Sequence, residues 1–404
     1  MSIASTSRGT RTGDDRQGRL RGLVGRHHSG PWGQDATAIA VVAGLLLIVG
    51  LVMSFSASVV DAAEDGDPFG ILRRQVAWAA IGVPAFLVVS ALDHRIWRRL
   101  SWVMIAASVL GLLLVLVPGL GLTRGGSTRW IGLGPIVVQP SELAKISALL
   151  WLADVYQRKR PRDGTPFELS HLLVPALPLL GLLGVLILAE PDLGTTVVVG
   201  VIVALVLYIE GLPMRLFAVF AGIGALLATA LAFTASYRVD RITGWLNPEA
   251  DPTGTGFQLL QSLYALGSGG WFGLGLGSSR GKWNFVPNPE TDFVFAIIGE
   301  ELGLVGAMVV LALFAALLVL GLRVARRAPD GFARTVAFGI TGWLVAQATI
   351  NVATVVGLLP ITGMTLPLVS AGGSSLVSTL VALGILVAIA RDPDTQDLDA
   401  RTAR

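Results

Sequence analysis

Ala36–Val59 reads ATAIAVVAGLLLIVGLVMSFSASV, 24 residues without a charge. The hydrocarbon core of a bilayer is about 30 Å thick, and a helix of roughly 20 apolar residues crosses it. The stretch is therefore predicted to be a retained membrane anchor, and it sets the scale for the rest of the chain. Outward from it, similar stretches recur at Ile71–Ala91, Leu100–Val117, Ser141–Tyr156, His171–Leu188, Thr195–Ile209, Met214–Thr234, Thr291–Leu322, Thr335–Leu358 and Leu366–Ala390. The expected fold class is an all-α polytopic membrane protein with about ten transmembrane helices. Composition agrees: 53% of the 404 residues are hydrophobic and 14% charged, against roughly 25% charged in soluble domains.

Basic residues collect in cytoplasmic loops. The two tails with Asp93–Arg99, Gln157–Ser170, Glu210–Arg215 and Arg323–Arg334 hold 21 of the 30 Lys and Arg. Both termini are thus expected on the cytoplasmic side of the cell membrane. Residues 1–35, with six arginines and no apolar run, read as a disordered basic cytoplasmic tail. Residues 36–390 form the membrane domain, and 391–404 a second cytoplasmic tail. The long connection 235–290, between the seventh and eighth spans, falls on the extracytoplasmic side and is too long for a simple turn. Within it, Phe257, Leu260, Leu263, Tyr264 and Ala265 recur at helical spacing and predict a short interfacial helix.

Several chemistries are excluded. There is no cysteine, hence no disulfide and no thiol nucleophile. The four histidines, His27, His28, His94 and His171, lie in tails and loops without metal-ligand spacing. Nothing in the charge pattern implies nucleic acid; the partners implied are membrane lipids.

An ionisable residue in a span must be paired, near an edge or facing a wet cavity, and most such residues here approach from the outer side. Arg73 and Arg74 open the second span. In Pro140-Ser141-Glu142-Leu143-Ala144-Lys145, Ser141 suits a cap and Glu142 the positive helix end. Lys145 lies a turn inside, where a cation is useful for holding phosphate. In Thr291-Asp292-Phe293, Asp292 reads either as a cap or as a carboxylate whose pKa is raised among apolar residues, suited to general-base work. Glu300 and Glu301, further along that helix, read as buried structural or coupling groups. Gly273 to Lys282 superficially resembles a phosphate-binding loop but lacks the required spacing and final Ser/Thr. With Arg280 and Lys282 it offers either charge and N–H groups to a lipid diphosphate or simple packing. Arg129 and Trp130 fit an interfacial anchor. Glu190-Pro191-Asp192 forms a tight turn capped by Asp192, and the small residues around Ser374 allow close helix approach.

Taken in order, Arg129-Trp130-Ile131, Gln139 to Lys145, Asn247-Pro248, Gly273 to Ser279, Thr291-Asp292-Phe293 through Gly303, Gly357 to Pro360 and Gly372 to Ser375 resemble the shape, elongation, division and sporulation family, typified by FtsW, RodA and SpoVE. Ile297 to Glu301 is most similar to the FtsW branch. The resemblance covers Ala36–Ala390. It implies a peptidoglycan glycosyltransferase that polymerises lipid II at the outer leaflet during septal cell-wall synthesis, working with a class B penicillin-binding protein and other divisome proteins. It also implies that Asp292 is the essential carboxylate. Joined to the reading of the residues, Asp292 becomes the expected base. Lys145, Arg74 and Arg129 become the expected diphosphate clamp, with Ser141, Glu142, Trp130, Arg280, Lys282 and Ser374 as further candidates for substrate contact. The chemistry admits a divalent cation, Mg or Mn, on the diphosphate without demanding one, and no protein metal site is expected. Two rival functions share these features, a lipid II flippase and a non-catalytic scaffold for the transpeptidase.

Overall fold

The computed structural model describes residues 32–64, 67–124, 127–134, 136–160, 169–232, 236–279 and 289–392. Among them are twelve α-helices: α1 (Gln34–Glu64), α2 (Gly70–Ala91), α3 (His94–Val115), α4 (Pro140–Lys159), α5 (Leu169–Ala189), α6 (Leu193–Ile209), α7 (Met214–Ala232), α8 (Ser236–Leu246), α9 (Phe257–Ser268), α10 (Val294–Arg326), α11 (Gly331–Val355) and α12 (Gly373–Ala390). Each of the ten predicted spans overlies one of these helices, and seven are long and apolar enough to cross a membrane: α1, α2, α3, α5, α10, α11 and α12. Shorter apolar helical stretches lie at Leu193–Ile209 in α6 and Met214–Gly224 in α7. The helix α4 carries Glu142, Lys145, Asp154, Arg158 and Lys159 in its 20 residues. Residues 1–31 of the predicted N-terminal tail and the C-terminal residues beyond 392 lie outside the described residues, as do Arg280 and Lys282; Gln34 and Asp35, assigned to the tail, instead open α1.

The bundle inverts the layout of a soluble protein. Large apolar side chains such as Val41, Ile48, Val185 and Leu226 point outward, as they must when lipid tails are the solvent. The helix α4 is enclosed on nearly every side, Ser141, Glu142, Lys145 and Asp154 included. Starts are marked by acidic caps: Asp93 accepts from Arg95 N, Asp192 from Thr195 N and Asp330 from Ala333 N. The helix α12 returns across the chain to pack on α2, while α10 packs on α1 and α11. Glycine permits that closure. A Cβ at Gly373 would stand 2.2 Å from the Trp78 ring, and one at Gly384 would stand 2.9 Å from Phe86 O.

Three features depart from the expectations. The segment between α3 and α4 is not a plain loop but a three-stranded antiparallel sheet, β1 (Gly121–Arg124), β2 (Ser127–Leu133) and β3 (Ile136–Val138), in the order β1-β2-β3. The eighth span starts at Val294, so Asp292 precedes it. It also breaks at Gly303, with φ 67° and ψ −168°, a conformation that requires glycine. The last span begins at Gly373 instead of Leu366, leaving 366–372 as non-helical chain.

The two ends of the bundle are chemically distinct. At one, Arg98 pairs with Asp154, Arg160 with Glu210, and Arg323 and Arg327 with Asp35. At the other gather the sheet, the α5–α6 turn, α8, α9 (the short helix expected near Phe257) and the chain before α10 and α12.

Candidate functional site

At this second end a cavity of about 1170 Å³ opens among α2, β2, the α5–α6 turn, α8 and the segment 360–375. It is lined by Asp292, Lys145, Glu142, Arg129, Trp130 and Ser374, residues dispersed over nearly 250 positions of sequence.

Asp292 sits in the turn that leads into α10, half-buried. Phe293 occupies the N-cap position and makes no side-chain cap bond, so the cap role open to Asp292 in the sequence does not arise. Neighbouring chain anchors the turn. Ala371 N donates to Glu290 O at 2.8 Å, Ser370 Oγ donates to Thr291 O, and Asn351 Nδ2 donates to Asp292 O at 2.9 Å and to Met364 O at 2.7 Å. Burial pushes the Asp292 carboxyl above the usual range; the positive charges of Arg241 and Arg129 and a hydrogen bond with Thr291 pull it back, and Asp192 pushes it up. Gly363 lies beside this turn in a left-handed conformation that favours glycine. A Cβ at Gly363, whose φ is +69°, would lie 3.8 Å from both Arg241 Nη1 and Asp292 Oδ2.

Lys145, 2% exposed, is the inner cation. Its Nζ lies 2.8 Å from Glu142 Oε2, 3.4 Å from Gln347 Oε1 and 5.0 Å from the Trp343 ring. Glu142 also accepts from Ser378 Oγ at 2.9 Å. A buried cation needs such company, and the arrangement leaves an ammonium at the cavity wall. Ser141 is buried behind that wall and accepts from Gln139 Nε2 at 3.1 Å. Ser374 Oγ accepts from Gln139 N at 3.0 Å.

Arg129, on β2, is the outer cation. Its Nε donates to Glu190 O at 3.3 Å, its Nη2 donates to Pro191 O, and its Nη1 lies 3.6 Å from Asp192 Oδ1. Asp192 caps α6 as expected and also accepts from Gln139 Nε2 at 3.2 Å. Trp130 faces the same cavity.

The structure does not bring Arg74 here. It lines a separate concavity with Asp67 and Arg73, and its Nε donates to Gly70 O at 3.3 Å. Glu300 and Glu301 also lie elsewhere, where they hold the glycine-rich loop. Ser56 Oγ donates to Glu301 at 2.7 Å, Ser279 N donates to Glu301 Oε1 at 3.3 Å, and Ser279 Oγ bonds Glu300 Oε2. Leu274 N and Gly275 N donate to Glu300 O and Glu301 O, while Leu304 N and Val305 N donate to Gly270 O and Trp271 O. Leu274 N and Gly275 N are thus engaged by the break in α10, and Arg280 and Lys282 lie outside the described residues.

Sequence reasoning missed Arg241, Gln139, Gln347 and Asn351. The last two are uncharged residues one helical turn apart on α11. Only their polarity inside an apolar span pointed to them. Among the described residues no group of three His, Asp or Glu is placed to hold a metal ion.

Comparison with known proteins bears on this arrangement. The FtsW/RodA/SpoVE family model, described as cell cycle protein, matches residues 36–394. Stage V sporulation protein E of Bacillus subtilis is 42% identical over 355 residues, covering 87% of this chain and 96% of that protein. The probable peptidoglycan glycosyltransferase FtsW of Mycobacterium tuberculosis is 41% identical over 388 residues, covering 95% of this chain and 74% of that protein. Among solved structures, a chain in a study of polymerization and crosslinking by a peptidoglycan synthase complex superposes with a TM-score of 0.71 at 32% identity, over 87% of this chain and 96% of that one. The crystal structure of the Thermus thermophilus rod shape determining protein RodA gives a TM-score of 0.65 at 29% identity, over 87% and 95%.

Proposed function

The chain belongs to the FtsW/RodA/SpoVE family, a multi-pass membrane protein and peptidoglycan glycosyltransferase by its relatives, and on that premise we propose that it polymerises lipid II with Asp292 as the base. The observation that carries the reading is the shared cavity of Asp292, Arg129 and Lys145.

The reaction joins two lipid-linked disaccharides. A sugar hydroxyl of one attacks the anomeric carbon of the other, a new C–O bond forms, and the bond to the lipid diphosphate breaks with inversion. The hydroxyl proton passes to the Asp292 carboxylate. A diphosphate leaves without being protonated, so a single carboxylate suffices, unlike the paired carboxylates of glycoside hydrolysis. The negative charge that builds on the leaving oxygen needs cations held in place beforehand. Arg129 and Lys145 supply them, and Arg241 is placed to assist. A divalent ion travelling with the diphosphate is compatible with this scheme.

In the cell the basic end faces the cytoplasm with both termini, and the cavity, with the connection 235–290, faces outward. The partner is a class B penicillin-binding protein, alongside other division proteins at the septum. The test gives the purified protein, with its cognate transpeptidase, fluorescent lipid II. Glycan ladders support the reading. Lipid II crossing vesicle membranes with no polymer formed supports a flippase in its place.

A further inference from the structure

Glu190 closes the α5–α6 turn with no exposed surface, and neither carboxyl oxygen has a hydrogen-bond partner among the described residues. A carboxylate is poorly tolerated in such a place, whereas the neutral acid is tolerated far better. Two charged groups face it. Arg129 reaches across from β2 and binds the backbone carbonyls of Glu190 and Pro191. Asp192, in the same turn, lies 3.6 Å from the Arg129 guanidinium and is already engaged by Thr195 and Gln139. Across the cavity, Asp292 and Arg241 belong to the same field, since Arg129, Asp192 and Arg241 all act on Asp292. Burial first, and the Asp192 charge second, push the Glu190 carboxyl up to about 8 against the opposing pull of Arg129.

We infer that Glu190 is a positioning residue carried as a neutral acid, whose proton leaves the Arg129 guanidinium available to a lipid diphosphate. The inference rests on the lipid-diphosphate reading above. With Glu190 neutral, Arg129 is held by two uncharged carbonyls and faces one carboxylate, Asp192, whose charge is shared with Thr195 and Gln139. Ionised Glu190 adds a second negative charge behind the guanidinium, drawing it toward the turn and repelling an incoming diphosphate. The proton lost on ionisation passes to solvent, so no other group need change state.

The test uses the full-length protein in lipid nanodiscs and undecaprenyl diphosphate as the probe. Its dissociation constant is measured between pH 6.5 and 9.5 for the wild type and Glu190→Gln, which keeps the shape of the neutral acid. The probe's own titration is common to both. The ratio of wild-type to variant dissociation constants is expected to rise about tenfold between pH 7 and pH 9. In an Arg129→Gln background the same ratio is expected to stay flat, because the effect runs through Arg129. Superimposable curves for wild type and Glu190→Gln overturn the inference, as does a pH-dependent ratio that survives loss of Arg129. Glycan polymerisation measured on the same preparation separates the two levels. Polymer formed with superimposable binding curves overturns the role of Glu190 alone, while absence of both probe binding and polymer overturns the lipid-diphosphate reading beneath it.

Discussion

Asn351 Nδ2 donates to the backbone carbonyl of Asp292 at 2.9 Å and, in the same reach, to Met364 O at 2.7 Å. One amide group on α11 thereby ties the turn that carries the carboxylate to the non-helical segment lining the cavity opposite. Asn351→Leu keeps the volume and removes both bonds. Leaving two buried carbonyls unmatched costs roughly 1–3 kcal/mol each in stability. A misplaced reacting group loses on the order of 100-fold in rate. Thermal unfolding in detergent and glycan polymerisation rates together check both numbers, and a variant with unchanged polymerisation contradicts the positioning role of Asn351.

Lys145 and Glu142 separate stability from catalysis. Each is almost wholly buried and they lie 2.8 Å apart, so deleting one charge strands the other, at a cost of about 3–5 kcal/mol. Lys145→Met and Glu142→Gln are therefore both expected to destabilise the protein. The double variant is expected to recover most of the stability and none of the polymerisation, because the cation at the cavity wall is gone. Recovery of activity along with stability refutes the assignment of Lys145 to the diphosphate.

The pH dependence of turnover has a defined sign. A general base works only when ionised, so activity falls as pH drops through the Asp292 pKa, which burial has raised above the ordinary aspartate range. Arg241 exerts the largest lowering influence on that group. Arg241→Gln is thus expected to move the acid limb of the rate profile upward. A limb that stays put, or moves down, shows that Asp292 does not govern it.

Gly303 supports the site from a distance. Its positive φ breaks α10, and a Cβ there would lie 2.4 Å from Gly273 N and 2.5 Å from Trp271 O. Gly303→Ala is expected to destabilise the protein by about 1–3 kcal/mol and to make the 269–279 loop more sensitive to limited proteolysis. Unchanged protection of that loop contradicts its docking into the helix break.

Helix positions are legible because lipid imposes a simple rule of length and polarity: all ten expected stretches fall on helices, seven of them long and apolar enough to cross a membrane. Asp192 as a cap was legible for a similarly local reason. The sheet at 121–138 was not, since its strands are as short as three residues and alternate too briefly to register. Lys145 and Asp292 stood out as charges at span edges. Asn351 and Gln347 did not, because a hydrogen bond to backbone leaves no trace in spacing. Its outer location alone places Arg74 with the clamp in a reading of the sequence. Sequence cannot tell that α2 sets it in a separate concavity, with its Nε on Gly70 O, instead of in the cavity.

The most direct measurement compares glycan ladders from lipid II made by the wild type and by Asp292→Asn, with transpeptidase binding and thermal unfolding as controls on folding. The account expects polymer from the wild type and a loss of at least about 100-fold from the variant, in line with removal of a general base, while the variant still folds and binds its partner. Equal polymer from both proteins contradicts the account.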